Sequence, residues 1–291
     1  MSMATFSTEM NKSHQIRSLS IPSKLNPINQ KIEQELRRLR AKEEASASTS
    51  TSESIIIGVS GLGKLYECIN QALSLPMTQQ TLSLQQYEKH VCELLKGCSS
   101  LLNICNSIKE AVLHQREATN NLESSLSEKE ESSKIGSNVA SYTCSRKEGI
   151  RKIRDILSSL NQLNAQVLEE EDCHLSTVIK SLRCVSIINL SVFESLLCFL
   201  SMPVAKPKRS LVSKLMNKGT GKCNTGNEMN DLDIVLHQLV SGKLVTEEKL
   251  LFTLKKSKAL VDVMQGIEIK LENICKHLSE TKVCLIKVVS F

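Results

Sequence analysis

The sequence predicts an all-α protein, an antiparallel bundle of long helices behind a disordered N-terminal tail, and three apolar runs carry that prediction. From Leu84 the apolar residues recur at alternating steps of three and four through Tyr87, Val91, Leu94, Cys98, Leu101, Cys105, Ile108 and Val112. The same spacing joins Leu260, Met264, Ile267, Leu271, Ile274, Leu278, Thr281, Leu285 and Val288, with Thr281 the only polar member. A third run joins Leu175, Val178, Leu182, Val185, Asn189, Val192, Leu196 and Phe199. Side chains so spaced share one helix face, and such seams are buried where helix packs on helix.

The elements follow in order. Residues 1–26 are rich in Ser and Thr, hold the single acid Glu9 with Lys12, Arg17 and Lys24, and lack the apolar core of a secretory signal. They read as a disordered tail, with a composition that also suits an organelle transit segment. Asn26 and Pro27 start a helix, since Asn caps free N–H groups and proline has none to lose at the first position. That helix runs to about Glu44 with Ile28, Ile32, Leu36 and Leu39 on one side. Residues 45–54, ASASTSTSES, read as a low-complexity linker. A helix over Leu62–Leu75 stops at Pro76, and the first seam starts from about Thr78 and extends to Leu122 and Leu126.

The stretch SEKEESSKIGS, residues 127–137, reads as a solvated hinge before a helix carrying Ile150, Ile153, Leu157, Leu160 and Val167. Glu169 to Asp172 place negative charge where the next helix begins, with Asp172 a candidate cap and a metal site with Cys173 and His174 the weaker alternative. Within that helix, residues 184–200 carry one charge, Glu194, and form either the central helix of the bundle or a membrane span. The flanking Lys180 and Arg183 and the internal Glu194 favour the central helix. Asn189 is then a buried polar group that needs a partner and can fix register. Pro203 and Pro207 end this helix, residues 203–230 form a basic interhelical loop, and Thr246 caps the final helix with Glu247 and Glu248 behind it. Residues 27–291 are thus expected to form a single helical domain.

Composition narrows the function classes. A 41% apolar content in 291 residues suits a buried core, and with five Phe, three Tyr and no Trp there is little to build a base-stacking platform. The net charge of +6 is spread along the chain, so nucleic acid is not an expected partner. The 11 cysteines are odd in number, form no CxxC pair and fall mostly at apolar helical positions, as structural thiols do. Cys98 and Cys105 stand one heptad apart, about 10 Å along one helix, too far to share a bond or a metal ion.

Residues 58–65, GVSGLGKL, match the phosphate-loop pattern GxxxxGK[ST] until Leu65 replaces the hydroxyl that holds magnesium. No other run reads as a parallel strand to support such a loop. Nucleotide binding through residues 58–64 is the distant alternative, and a flexible lead-in to the helix at Leu62 the plainer one. No Ser/His/Asp set, nucleophile elbow or HExxH occurs, so the expectation is a protein without enzymatic activity and without a cofactor or metal.

The strongest functional signal is KPKRSLVSKLMNKGTGK, residues 206–222, where Lys206, Lys208, Arg209, Lys214, Lys218 and Lys222 occur with no acid. Leu211 and Leu215 fall on one side of a short helix there. Such a segment suits an anionic membrane surface or an acidic protein partner, and it is also what a solvated loop looks like. Ser20, Ser210 and Ser213 follow basic residues and are candidate phosphorylation sites, the latter two placed to offset the local charge.

Four strings read together: RSLSIPSK (17–24), GLGKLYECINQALSLPMTQQ (61–80), VIKSLRCVSIINLSVFESLLCFLS (178–201) and SLVSKLM (210–216). In this order and spacing they resemble the plant BYPASS-like family, from about Arg17 to the C-terminus. Where relatives often carry Trp before SLVSKLM this chain has Arg209, and where they carry an acid after the LR pair it has Cys184. The resemblance implies a plant, all-helical, single-domain protein associated with root and shoot development and with no established catalysis. The combined expectation is a cytoplasmic interaction or scaffold protein with an unidentified protein partner. Its alternative is a peripheral membrane protein using residues 206–222, and seams of this kind also permit self-association.

Overall fold

The nine positions of the C-terminal seam, Leu260 to Val288, are all buried on one 43-residue helix, against which the helices Glu88–Ser127 and Ser52–Leu73 make their packing. The computed structural model describes residues 27–46, 51–127, 132–168, 176–201, 227–241 and 246–290. They form α1 (Pro27–Ser46), α2 (Ser52–Leu73), α3 (Pro76–Leu82), a 3-10 turn (Gln85–Tyr87), α4 (Glu88–Ser127), α5 (Ser132–Leu168), α6 (Thr177–Ser201), α7 (Glu228–Ser241) and α8 (Glu247–Val289). No strand occurs among the described residues.

Side-chain contacts give the directions. On α4 and α8, Cys98 meets Leu278, Cys105 meets Leu271 and Arg116 pairs with Glu268 at 3.0 Å, so the two longest helices run antiparallel. Their pairing is the most extensive in the molecule. On α2, Gly63 approaches Asn273 and Asn70 bonds the Thr281 hydroxyl, so α2 lies parallel to α8. Leu39 of α1 packs on Gly61 of α2 and Glu43 lies beside Gly58, while Asn189 of α6 reaches Tyr66 of α2 where Val192 reaches Gly58, making both of those pairs antiparallel. The packed pairs α1–α6 and α4–α6 are parallel as well, the latter with Arg183 near the start of α6 against His90 near the start of α4.

The seams lie where the spacing places them, including Leu122, Leu126 and the run Leu182 to Phe199. Asn189 is fully buried, and its Nδ2 donates to the Tyr66 hydroxyl oxygen at 2.6 Å. Burial is also the main force pushing the Tyr66 phenol well above its ordinary value. By length and composition α6 could cross a membrane, yet α1, α2, α4 and α5 all pack against it and bury Phe193, Leu196 and Phe199. Thr246 caps α8 by accepting from the Lys249 amide.

Several boundaries differ from the sequence reading. The end of the expected linker is helical: α2 begins at Ser52, with Thr51 accepting from the Ser54 amide and Glu53 in the first turn, a capping signal that the run of small polar residues masks. Residues 58–65 therefore lie inside α2 rather than leading into a helix at Leu62. The first seam also starts later, because Leu84 is extended and exposed between α3 and the 3-10 turn. Residues 132–137, assigned to the hinge, belong to α5, which buries Ile135. Residues 228–230 open α7, whose apolar face of Met229, Leu232, Leu236 and Leu239 follows the Gly- and Asn-rich run. The whole tail, residues 1–26 with Asn26, and residues 169–175 lie outside the described residues.

Glycines mark the closest helix approaches. A methyl group on Gly61 would fall 2.6 Å from the Cδ2 of Leu39, a core side chain, whereas one on Gly266 would meet nothing within 4 Å. Gly266→Ala should accordingly stabilise the protein by about 1 kcal/mol through helix propensity. Gly61→Ala should destabilise it by about 1–3 kcal/mol through overpacking. Urea denaturation of the two variants checks the opposite signs.

Candidate functional site

The six basic residues singled out in the sequence, Lys206, Lys208, Arg209, Lys214, Lys218 and Lys222, and the candidate phosphorylation sites Ser20, Ser210 and Ser213, lie outside the described residues. The structure does describe both attachment points of that segment, the end of α6 and the start of α7. They meet at a buried polar junction built by four helices.

A helix leaves its last carbonyls without internal partners, and a cation there is favoured by the helix dipole. At the end of α6 the Leu200 carbonyl accepts from the guanidinium of Arg146, fully buried on α5. The Phe199 carbonyl accepts from Asn227 Nδ2 at 2.8 Å. Asn227 also caps α7, its Oδ1 accepting from the Asn230 amide at 3.0 Å. One asparagine thus ties the end of α6 to the beginning of α7 across the whole basic segment.

The junction extends in two directions. Arg146 Nε pairs with the Asp233 carboxylate of α7 at 3.3 Å, both side chains buried. Burial pushes the Asp233 carboxyl above its usual range, with Arg146 pulling the other way. The Tyr142 phenol, one turn before Arg146, is raised by burial first and then by the Asp233 charge. At the rim, the Glu228 carboxylate accepts from the Ser52 amide at 3.1 Å and from the Ser52 hydroxyl at 2.5 Å, fixing the start of α7 to the start of α2. Lys256 of α8 lies 3.6 Å from Asp231.

The junction holds the ends of α6 and α7 in place. Arg146 and Asp233 satisfy each other and helix-end groups, and no group of three or more His, Cys, Asp or Glu that could hold a metal lies among the described residues. The phosphate-loop residues are equally structural. Gly58, Gly61 and Gly63 are buried in α2 beside Val192, Leu39 and Asn273, Lys64 is exposed, and amides inside a helix are bonded to its own carbonyls rather than free to cradle phosphate.

Sequence reasoning passes over Arg146 and Asp233 although both carry a signal. Arg146 occupies a seam position in the run Ile135, Val139, Tyr142, Arg146, Gly149, Ile153, and Asp233 sits on the apolar face of α7 four residues after Met229. A charge at a buried register position has to be paired.

The family model described as Protein BPS1 matches residues 58–288, from within α2 to near the end of α8. The chain belongs to the Protein BPS1 family. The assignment agrees with the resemblance to BYPASS-like proteins, and the matched region contains Arg146, Asn227, Asp233 and the basic segment together. No curated protein and no solved structure matched this BPS1-family chain.

Breaking the pair from one side leaves a buried charge. Arg146→Met should cost about 3–5 kcal/mol, and adding Asp233→Leu should restore most of that loss. In the single variant Asp233 lacks its counter-charge, so its folded pKa rises further above the unfolded value. Stability should then fall as pH rises through the carboxylate range, and the double variant should lose that dependence. Thermal unfolding across pH checks both signs.

Proposed function

We propose that this protein is a non-enzymatic helical scaffold in plant developmental signalling, including root and shoot development, which engages an acidic protein partner through Lys206–Lys222. The carrying observation is the joining of a 17-residue segment of six cations and no acid to a bundle end where Asn227 and Arg146 hold both of its attachment points. Fixing the ends of a binding loop lowers the ordering cost of binding. Membership in the Protein BPS1 family supports the developmental assignment. On this reading the protein acts in the cytoplasm.

A second reading, a peripheral membrane protein, is favoured by the same cations following directly on the apolar α6. Each basic residue near an anionic surface contributes on the order of 1 kcal/mol. Phosphate on Ser210 or Ser213 would weaken either contact by offsetting that charge, and quantitative phosphopeptide mapping that found both serines unmodified under all conditions would remove this regulation.

The test compares the full-length protein with a Lys208→Glu, Arg209→Glu, Lys214→Glu variant. In affinity capture from plant tissue, acidic partners should be retained by the parent and lost by the variant; identical sets would overturn the scaffold reading at this segment. In co-sedimentation, salt-sensitive binding to phosphatidylserine vesicles that falls at least about 100-fold in the variant would establish the membrane reading instead.

A further inference from the structure

Two cysteines far apart in sequence meet between the longest helices. Cys105 on α4 is fully buried, Cys275 on α8 is partly exposed, and their Sγ atoms are 3.1 Å apart. Cys275 lines a surface groove with Asn106, Lys109 and Lys276, and its Sγ lies 3.4 Å from the Asn106 Oδ1. A small oxidant therefore reaches Cys275 from solvent while Cys105 waits behind it. We propose that Cys105 and Cys275 form a peroxide-responsive dithiol that closes into a disulfide between α4 and α8.

The pair differs from the chain's other described thiols. Cys98 is also buried on the α4 seam, but its Sγ faces the Leu278 carbonyl and burial pushes it up to about 12. Cys144 and Cys198 are exposed, and Cys198 is raised by burial and by Glu194. The hydrogen bond with Cys105 holds Cys275 below the ordinary thiol range, with burial opposing and Lys109 assisting. The same bond, followed by burial, raises Cys105. The exposed member is thus the better nucleophile and the buried member the resolving thiol.

The chemistry balances with one peroxide. The Cys275 thiolate attacks a peroxide oxygen; the O–O bond breaks, an S–O bond forms, and the departing hydroxide takes up the thiol proton as water. Cys105 sulfur then attacks the Cys275 sulfenic acid; the S–S bond forms, the S–O bond breaks, and hydroxide leaves with the Cys105 proton as a second water. Two thiols lose two electrons and hydrogen peroxide gains them. Closing the sulfurs from 3.1 Å to a bond of about 2.05 Å requires roughly 1 Å of movement. The product joins residues 170 apart, so it constrains the unfolded chain strongly.

The experiment exposes reduced full-length protein to stoichiometric hydrogen peroxide, alkylates it, digests it without reductant and maps the peptides by mass spectrometry. A Cys105–Cys275 linked pair that dithiothreitol reverses, with a raised Tm in the oxidised form, is the expected result. Cys105→Ser should lose the link and accumulate a dimedone-trapped sulfenic acid at Cys275. Cys105→Ala, which keeps the seam apolar, gives the same readout if the serine variant does not fold. Cys275 left unoxidised at a peroxide dose that modifies Cys144, or carried to sulfinic acid in the parent chain without any link, would overturn the proposal.

Discussion

The fold builds outward from the apolar stripe of α8: α4 and α2 pack on it directly, and α5, α6 and α1 pack on α4 and α2. The stripe's nine seam positions are buried along a helix of about 65 Å, and each fully buried aliphatic side chain contributes about 1.5–3 kcal/mol. No single polar contact in the molecule approaches that total. One stripe serves two partners because α4 approaches antiparallel and α2 parallel, so α8 is the shared wall of both pairings. Cys98 and Cys105 suit this arrangement, being small enough to bring α4 close to the α8 backbone and apolar enough to be buried there.

Burial on this scale gives cohesion but little uniqueness, since leucine seams tolerate sliding. The polar exceptions provide the registration. Asn189 meets Tyr66 at one point between α6 and α2, and Asn70 meets Thr281 at one point between α2 and α8. Arg146 meets Asp233 and the Leu200 carbonyl where α5, α6 and α7 converge. A slip of one turn would leave each of these groups buried without its partner, which costs more than the bond itself gives. The same junction fixes both attachment points of the basic segment, so the device that sets helix register also presents the most charged stretch of the chain.

The fold was legible wherever one physical signal dominated. The three- and four-residue spacing located the seams on α4, α6 and α8, and Thr246 with two following glutamates located a helix start. It was less legible where two signals compete. Residues 51–54 read as linker by their run of Ser and Thr, yet Thr51 and Glu53 are also good helix-start residues, and the cap prevails because Ile55 and Val59 behind it are buried. Leu84 continues an apolar spacing but follows Ser83 at the end of a short helix, and spacing alone does not record a change of chain direction. For the site, the basic segment was visible as composition, whereas its anchor was not. Arg146 looks like surface charge until the seam through Tyr142 and Ile153 is drawn through it, and its partner lies 87 residues away. The Cys105–Cys275 meeting is hidden for the same reason, since spacing within one helix says nothing of what faces it from another.

The most direct measurement of the central claim, that the α4 and α8 seams are satisfied within one chain, is hydrogen–deuterium exchange followed by mass spectrometry over a hundred-fold range of protein concentration. Amides across Cys98–Val112 and Leu260–Val288 should be the slowest to exchange, with protection unchanged by dilution. Protection of those segments that disappears on dilution would contradict the account, because the seams would then be buried between chains rather than inside one.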